Sequence, residues 1–418
     1  MKVLWLTPTQ LPAVRGLPPT GLGWIEGLRR ALEVFQPQVE LTIVSWGPAQ
    51  HEPFRAGNAE YRSIGHPDEG GRSRSLARRW RHSVVPDGAI DDCARIVLAT
   101  RPDLIHVHGS ESFLGLTLPR VAPPGVISLQ GIASAYRSHW FDGLTARDLA
   151  WAGLDPATVH GYGLFHDFAQ ISARADCELT ILKGCRDYLG RTDWDRSVLA
   201  GLRPGARYYH VDEVLGSSYY ASEWDADGAE SGVVYTTCGS RPVKGLETLL
   251  DAISLLRTAE HRDIRLRVAG GIENGPLWPV IRRRLKDPGL AGAVELLGVL
   301  SPEAIVQELE RASVFVHPSH IDNSPNALCE ALLVGAPCVA SYVGGVPSLV
   351  RHDETGLLYH DRDPYMLAAA IDRLLRDREL AARLGQAARK AALVRHDPES
   401  IAAALIDAYG HVMAHAAG

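Results

Sequence analysis

Short apolar segments alternate with amphipathic segments along most of this 418-residue chain. In the first half, β-branched and aromatic residues concentrate at residues 3–6, 41–46, 104–107 and 126–129. A second series follows at residues 233–236, 264–268, 294–297, 314–316, 338–340 and 357–359. Apolar residues at helical spacing separate these runs, which is the pattern of parallel sheets covered by helices on both faces. The sequence therefore predicts an α/β fold with two doubly wound, Rossmann-like halves.

The alternation is interrupted once, by an acidic segment of small residues at positions 223–231. We place the domain boundary there, which gives an N-terminal domain of residues 1–222 and a C-terminal domain of residues 223–395. Residues 396–418 carry apolar side chains at helical spacing. We therefore expect a final helix that packs back on the N-terminal domain.

The overall composition argues against several classes of protein. A formal net charge of −6 offers no electrostatic case for a nucleic-acid partner. The six cysteines form no C-x-x-C pair, which argues against a zinc ribbon or a disulfide scaffold and favours a reducing, cytoplasmic compartment. No apolar run approaches the roughly 18 residues that a membrane-spanning helix needs.

The segment from Asp322 to Glu330 carries the most informative chemistry. It follows the predicted buried strand at residues 313–316 after a short loop. Ser324 is a suitable helix cap and Pro325 suits a first turn, so we expect a helix to begin near Pro325. Free N–H groups at a helix start favour an anion, and the two carboxylates flank that start. The alternative interpretation is that Asp322 is a solvated loop residue and Glu330 an exposed helix residue.

Each half also offers a feature suited to a phosphate near the end of a strand. Gly21 and Gly23 open a predicted helix after the first strand, although their spacing is not that of a dinucleotide fingerprint. Lys244 follows the first strand of the second series, where an ammonium group can neutralise a diphosphate. A solvated surface lysine is the alternative for Lys244.

Together these motifs resemble a known enzyme family. Residues 322–341, with 343–347 and 354–358 after them, are similar to the signature region of family 4 retaining glycosyltransferases, also called glycosyl transferases group 1. Residues 102–109 extend the resemblance, and residues 189–196 are similar to a segment of one bacterial subgroup. The resemblance covers most of the chain. It implies a GT-B fold, in which two Rossmann-like domains face each other across a cleft, and a bacterial enzyme of carbohydrate biosynthesis.

The resemblance implies a donor site, held mainly by the C-terminal domain, for a nucleotide-diphosphate sugar of the UDP or GDP type. Glu330 matches the carboxylate that hydrogen-bonds the nucleotide ribose. Asp322 matches the carboxylate that touches the donor sugar, and Lys244 matches the basic residue on the diphosphate. We therefore expect Asp322 and Lys244 to carry the catalytic roles.

Further donor contacts are implied around these residues. Ser324, Pro325 and Asn326 would bring the helix start up to the sugar, while Gly21 and Gly23 would let the backbone approach a phosphate. The implied reaction transfers the sugar to a hydroxyl acceptor with retention at the anomeric carbon. The family requires no metal ion, and we expect no cofactor beyond the nucleotide sugar itself.

The chain departs from the family pattern at three positions. The first motif carboxylate is Asp322 rather than a glutamate. The arginine that usually precedes the lysine by five positions is Gly239, and Arg241 or Arg191 is expected to supply the missing charge. Where many members carry a histidine, Gln130 can form hydrogen bonds but cannot act as a base near neutral pH. We therefore place Gln130 on the acceptor side and assign no acid–base catalyst.

Several alternatives stay open. A nucleotide-sugar epimerase and a non-catalytic sugar-nucleotide-binding protein share the expected fold. The acceptor is a glycan or a small natural product, and the locally basic residues 72–82 raise the alternative of peripheral contact with a membrane that holds a lipid-linked acceptor. A solvated loop and helix explains the same residues. The basic residues 281–286 are interpreted as an exposed helix face.

Two other residue pairs have structural interpretations. His106 and His108 alternate on one strand, and we expect a hydrogen-bonded pair at the strand end rather than metal ligands. Thr192 with Asp195 three residues later is typical of a helix-capping arrangement.

Overall fold

The computed structural model describes residues 1–8, 11, 23–47, 52–65, 80, 82, 84–260 and 263–417, and these residues form two compact units. Unit 1 comprises Met1–Arg137, Ala169–Val214 and His396–Gly418. Unit 2 comprises Ser138–Phe168 and Leu215–Arg395. This division differs from the predicted boundary at residue 223, because residues 138–168 and 215–222 belong to unit 2.

Unit 1 is built on a sheet with the strand order β3-β4-β2-β1-β5-β6-β7-β8. Its strands are β1 (Lys2–Thr7), β2 (Glu40–Trp46), β3 (Phe54–Ala56), β4 (Ala59–Ile64), β5 (Leu104–His108), β6 (Gly125–Ser128), β7 (Asp187–Gly190) and β8 (Arg207–His210). Every neighbouring pair is parallel except β3 and β4, which are antiparallel.

Unit 2 contains an all-parallel sheet with the order β11-β10-β9-β12-β13-β14. Its strands are β9 (Glu230–Thr237), β10 (Arg265–Ala269), β11 (Val294–Gly298), β12 (Ala312–His317), β13 (Cys338–Ser341) and β14 (Leu357–Tyr359). The strands of both series predicted from apolar runs are therefore present, and the predicted pair of doubly wound sheets is confirmed.

The described α-helices cover the faces of these sheets. In chain order they are α1 (Gly23–Phe35), α2 (Ala89–Thr100), α3 (Ala133–Ser138), α4 (Ala146–Gly153), α5 (Leu164–Gly184), α6 (Asp193–Leu202), α7 (Ser217–Ala221), α8 (Leu246–Glu260), α9 (Trp278–Arg284), α10 (Pro302–Arg311), α11 (Asn326–Val334), α12 (Pro364–Arg376), α13 (Arg378–Arg395) and α14 (Pro398–Ala417). Short 3₁₀ turns lie at Phe113–Arg120, Pro156–His160, Pro242–Lys244, Pro288–Leu290 and Val346–Ser348. None of the helices in the described ranges is long and apolar enough to cross a membrane.

The C-terminal helix α14 lies in unit 1, where it packs against α1. Its apolar face, which includes Leu405 and Tyr409, shares one core cluster with Trp5 of β1. The indole N–H of Trp5 donates to the hydroxyl of Tyr409 over 3.1 Å, and that hydroxyl lies 2.7 Å from Nδ1 of His106. A buried polar contact therefore fixes the register of α14 against the sheet.

Each sheet reverses its winding direction at one place. In unit 1 this switch point lies between the neighbouring strands β1 and β5, and in unit 2 it lies between β9 and β12. Ligands of doubly wound sheets bind outside the carboxyl ends of the strands at such a point. The loops that follow these four strands are therefore where the chemistry of each unit is expected.

Candidate active site

Two loops meet at the switch point of unit 2, one after β9 and one after β12. The N–H of His320 donates to the carbonyl of Val243 over 2.8 Å, which joins the loops backbone to backbone. Gly245 adopts a positive φ of 66°, and a Cβ there would lie 1.9 Å from the carbonyl oxygen of Pro318. Only glycine tolerates this approach, so the glycine after Lys244 is explained by packing.

A buried histidine holds the second loop in place. The ring of His320 is hydrogen-bonded to Asp361 through Nδ1 at 2.6 Å and to Glu247 on α8 through Nε2. Burial opposes the charged ring, but the bonds to the two carboxylates outweigh it and raise the pKa of His320 to about 10. The imidazolium is therefore a fixed structural cation between the loop and α8.

Lys244 and Asp322 make direct contact across these loops. Nζ of Lys244 donates to Oδ2 of Asp322 over 2.6 Å, and the hydroxyl of Ser319 lies 3.4 Å from the same oxygen. The Asp322 side chain is 10% exposed and that of Lys244 is 32% exposed. Nε2 of His317 lies 3.5 Å from the same oxygen, but burial lowers the pKa of His317 to about 4. Near neutral pH, Lys244 is therefore the cation of this group.

The backbone of Asp322 is held from the other side by a glycine pair. The N–H of Gly345 donates to the carbonyl of Asp322 over 2.9 Å. Gly344 adopts a φ of 47°, and a Cβ there would lie 2.0 Å from the same carbonyl oxygen. The Val-Gly-Gly sequence after β13 therefore serves to seat the loop that carries Asp322.

The helix that follows begins one residue later than predicted. Helix α11 starts at Asn326 with Pro325 as its N-cap and no side-chain cap. The prediction that Ser324 caps the helix is wrong, because Ser324 lies one position before the cap, where its Oγ is 3.7 Å from Sγ of Cys329. Asp322 and Ser324 still precede the helix start, as the motif requires.

Glu330 lies on α11 and is hydrogen-bonded by a tyrosine that sequence reasoning missed. The hydroxyl of Tyr219, on α7, donates to its carboxyl group. Burial raises the pKa of Glu330 to about 8, although the bond from Tyr219 acts to lower it. Tyr219 is about 110 residues away in sequence and no motif marks it, so only the fold brings the pair together.

Gly239, where the resemblance led us to expect an arginine, has room for a side chain. Gly239 is exposed, and a Cβ there would meet only Cγ of Lys244 at 3.7 Å, which is an ordinary contact. Arg241 is half-exposed, with Nε 3.8 Å from Oδ2 of Asp167 and its guanidinium 5.8 Å from the ring centre of Trp140. Arg241 therefore lies on the same loop as Lys244, and its role as the replacement charge stays a prediction.

The remaining predicted site residues lie in unit 1. Arg191 is buried, with Nε 3.4 Å from Oε2 of Glu213 and its guanidinium 4.3 Å from the ring centre of Trp24. Gln130 lies in the loop after β6, and Gly23 is the first residue of α1. Gly21 and nearly all of the basic segment 72–82 lie outside the described residues.

Of the two structural interpretations from the sequence, the capping arrangement holds, whereas the hydrogen-bonded histidine pair holds for His106 only, because neither ring nitrogen of the buried His108 has a hydrogen-bond partner among the described residues. His106 lies with Nδ1 2.7 Å from the hydroxyl of Tyr409 and Nε2 2.6 Å from that of Ser128, and its ring centre is 3.9 Å from that of His108. Thr192 and Asp195 form a complete capping box at the start of α6. The six cysteines all lie in the described part of the chain, and none of them forms a disulfide.

Within unit 2, a lysine, two carboxylates and a helix start therefore lie on loops and a helix that follow β9 and β12. An ammonium group suits a diphosphate, carboxylates suit hydroxyl groups, and an uncapped helix start suits an anion. This combination can bind a sugar that carries a diphosphate.

The comparisons with known proteins agree with this chemistry. Residues 238–391 match the family model described as Glycosyl transferases group 1. D-inositol 3-phosphate glycosyltransferase of Corynebacterium efficiens is 33% identical over 148 residues, which are 35% of this chain and 35% of that protein. GDP-mannose-dependent alpha-(1-6)-phosphatidylinositol monomannoside mannosyltransferase of Mycobacterium tuberculosis is 30% identical over 179 residues, 41% of this chain and 46% of that protein. The chain thus spans less than half the length of these relatives.

Solved structures match over nearly the whole chain. Sucrose-phosphate synthase from Thermosynechococcus elongatus gives a TM-score of 0.73 at 18% identity, covering 99% of this chain and all of that one. HepE of Anabaena, in complex with UDP and glucose, gives 0.69 at 15% identity, covering 98% of this chain and all of that one. At these identities the matches establish the fold, and the predicted GT-B class is confirmed. Lys244, Asp322 and Glu330 lie inside residues 238–391, the range that matches the family model of the glycosyl transferases group 1.

Proposed function

We propose that this protein is a retaining glycosyltransferase that moves a sugar from a nucleotide-diphosphate donor to a hydroxyl acceptor. The observation that carries the proposal is the contact between Lys244 and Asp322 at the switch point of unit 2, within the range that matches the family. In this proposal, unit 2 binds the donor and unit 1 binds the acceptor.

When the donor binds, Lys244 changes its ion-pair partner. The ammonium group leaves the carboxylate of Asp322 for the diphosphate, where it stabilises the charge that develops as the sugar–phosphate bond breaks. Asp322 is then available to accept hydrogen bonds from hydroxyl groups of the donor sugar. Glu330, five positions into α11, binds the ribose, and the start of α11 faces the anion.

The chemistry needs no acid–base side chain in unit 2. His317 is neutral and buried, while His320 is held as a cation between two carboxylates. Leaving-group stabilisation and positioning of the acceptor therefore carry the reaction, with retention of configuration and without a metal ion.

A labelled-donor assay tests this function. The protein is incubated with isotope-labelled UDP-glucose or GDP-mannose, alone and with hydroxyl compounds, and label is followed in the donor and in the products. Acceptor-dependent transfer supports the proposal, and the coupling constant at the anomeric carbon tests retention. Isomerised donor without transfer would identify an epimerase, and binding without any turnover would identify a non-catalytic binding protein. Equal rates with and without a chelator test metal independence.

A further inference from the structure

Unit 1 has its own switch point, and a glutamate occupies the loop there. Glu111 follows β5, whose neighbour across the switch point is β1. Gly109 turns the chain directly after β5 with a φ of 98°. A Cβ at Gly109 would lie 3.0 Å from both carboxylate oxygens of Glu111, so the carboxyl group folds back over the glycine. This placement corresponds to that of Asp322 in unit 2, which also follows the strand across the switch point.

A second glutamate fixes the loop but is fully used in doing so. Glu178 on α5 is completely buried and accepts four hydrogen bonds. They come from the hydroxyl of Ser110 at 2.6 Å, from the N–H groups of Ala133 and Ser134 at 3.3 and 2.8 Å, and from the hydroxyl of Ser134 at 2.7 Å. Glu178 therefore ties the loop after β5 to the start of α3, and its oxygens have no capacity to spare for a ligand.

Glu111, unlike Glu178, has a carboxylate oxygen that accepts no hydrogen bond from the described residues. Its Oε2 is buried, and no donor among the described residues bonds to it. A buried carboxylate oxygen without a donor costs free energy that a bound O–H group would recover. The residue as a whole is partly exposed, while Oε2 itself is buried.

We propose that Glu111 is the acceptor-binding carboxylate of unit 1, and that it accepts a hydrogen bond from a hydroxyl of a polyhydroxyl acceptor such as a sugar or a cyclitol. The inference rests on the proposed glycosyltransferase function. An ionised carboxylate accepts hydrogen bonds and donates none, which matches it to a ligand rich in O–H donors.

The charges around Glu111 make this binding dependent on pH. Burial raises the pKa of Glu111 to about 7, the negative charge of Glu178 on α5 adds to this, and its own N–H, Arg174 on α5 and Arg191 after β7 act to lower it. Burial holds the pKa of the neighbouring His108 well below its ordinary value, so that ring is neutral. Acceptor binding should therefore weaken as the pH falls through about 7.

The test compares wild type with Glu111→Gln, which keeps the shape of the side chain and removes its charge. The probes are myo-inositol and glucose as acceptors, with labelled UDP-glucose and GDP-mannose as donors, from pH 5.5 to pH 8.5. We expect Glu111→Gln to raise the KM for the acceptor about 10-fold, in line with one charge-assisted hydrogen bond, and to abolish its rise at low pH. Glu111→Asp should keep a pH dependence, and Glu40→Gln, exposed at the amino end of β2, should behave as wild type.

The donor is measured separately, so the two proposals fail in different ways. Calorimetric titration with UDP and GDP should give the same Kd for wild type and Glu111→Gln. An unchanged acceptor KM in Glu111→Gln, or a wild type that hydrolyses donor but uses neither probe, would overturn the role of Glu111 as a polyhydroxyl-binding group and leave the glycosyltransferase function standing. A wild type that binds no nucleotide would instead overturn the proposed function.

Discussion

The loops at the switch points of the two units carry carboxylates that differ in whether a donor is bonded to them. In unit 2, Asp322 is paired with Lys244 at 2.6 Å and its backbone is clamped by glycines. In unit 1, Oε2 of Glu111 is buried and no described residue donates to it. In the two proposals, the same doubly wound scaffold serves two kinds of ligand. The paired site is suited to an anion that takes over the lysine, and the unpaired site is suited to a ligand that donates hydrogen bonds.

Removal of the Lys244 ammonium group should have the largest effect, because it removes the feature that distinguishes the site in unit 2. Lys244→Ala leaves Asp322 without its cation and the diphosphate without its charge-assisted bond. We expect binding of UDP or GDP to weaken about 10- to 100-fold, the equivalent of about 1.5–3 kcal/mol. Calorimetric titration measures it, with Lys286→Ala as the control, because Lys286 is exposed in the same unit. An unaltered Kd in Lys244→Ala would remove this residue from the donor site.

The second prediction concerns the pH dependence of stability in unit 2. The pKa of Glu330 is about 8 in the folded protein and about 4.5 as the ordinary value. Between these pH values the folded state holds a proton that the unfolded state has released. The free energy of unfolding should therefore fall as the pH rises from about 4.5 to about 8, by at most about 1.4 kcal/mol per pH unit from this group.

Glu330→Gln cannot release that proton, so its unfolding free energy should lose this part of the slope. Denaturant unfolding of both proteins at pH 5, 6, 7 and 8 checks the sign, since the difference between wild type and variant should shrink with rising pH. Parallel curves for the two proteins would mean that Glu330 ionises as an ordinary carboxyl group.

A positive charge added beside Lys244 should make the site in unit 2 still better suited to an anion than the site in unit 1. Gly239→Arg places a guanidinium beside Lys244, where a Cβ meets only an ordinary contact. We expect binding of the nucleotide diphosphate to tighten about 3- to 10-fold, on the order of 1 kcal/mol. Gly201→Arg is the matched control, because Gly201 lies on α6 of unit 1 with open space around a Cβ. Weaker binding in Gly239→Arg would show that this position does not face the diphosphate.

The smallest effect is expected from Asp322→Glu. The extra methylene moves the carboxylate relative to Lys244 and changes which donor-sugar hydroxyl it reaches. We expect the ratio of kcat/KM between UDP-glucose and UDP-galactose to change about 2- to 5-fold, on the order of one altered hydrogen bond. The Kd of UDP, which lacks the sugar, serves as the internal control. A constant ratio would separate Asp322 from sugar recognition.

Sequence reasoning predicted the strands of both sheets in which apolar residues predominate. It missed β3, β4, β7 and β8, which are short or carry polar side chains, and β8 is mostly half-buried. β3 and β8 are the edge strands of their sheet, and all four sequences lack the continuous apolar run that marks a central strand.

The transfer of residues 138–168 to unit 2 was also missed. Arg283 and Arg284, interpreted from sequence as an exposed helix face, are paired with Asp148 on α4, which is fully buried. No local pattern links an aspartate to arginines about 135 positions away. Long-range ion pairs of this kind follow from the fold and cannot be obtained from periodicity.

The candidate site was more predictable than the domain division. Lys244 and Asp322 are 78 positions apart, and it was the resemblance to a known family, consistent with the rule that ligands bind at the carboxyl ends of strands, that predicted them in one donor site. Glu111 carried no such signal, because its distinguishing property is a missing partner, and that is visible only when every neighbour has been placed.

Melting temperatures of wild type and Lys244→Ala with nucleotide diphosphates test the central claim most directly. A ligand at about 100 times its Kd stabilises the native state by about 2.7 kcal/mol, which gives a clear rise in Tm. We expect UDP or GDP to raise the Tm of wild type and to raise that of Lys244→Ala much less at the same concentration. No rise with any nucleotide diphosphate or its sugar, or equal rises in the two proteins, would contradict a donor site at the switch point of unit 2.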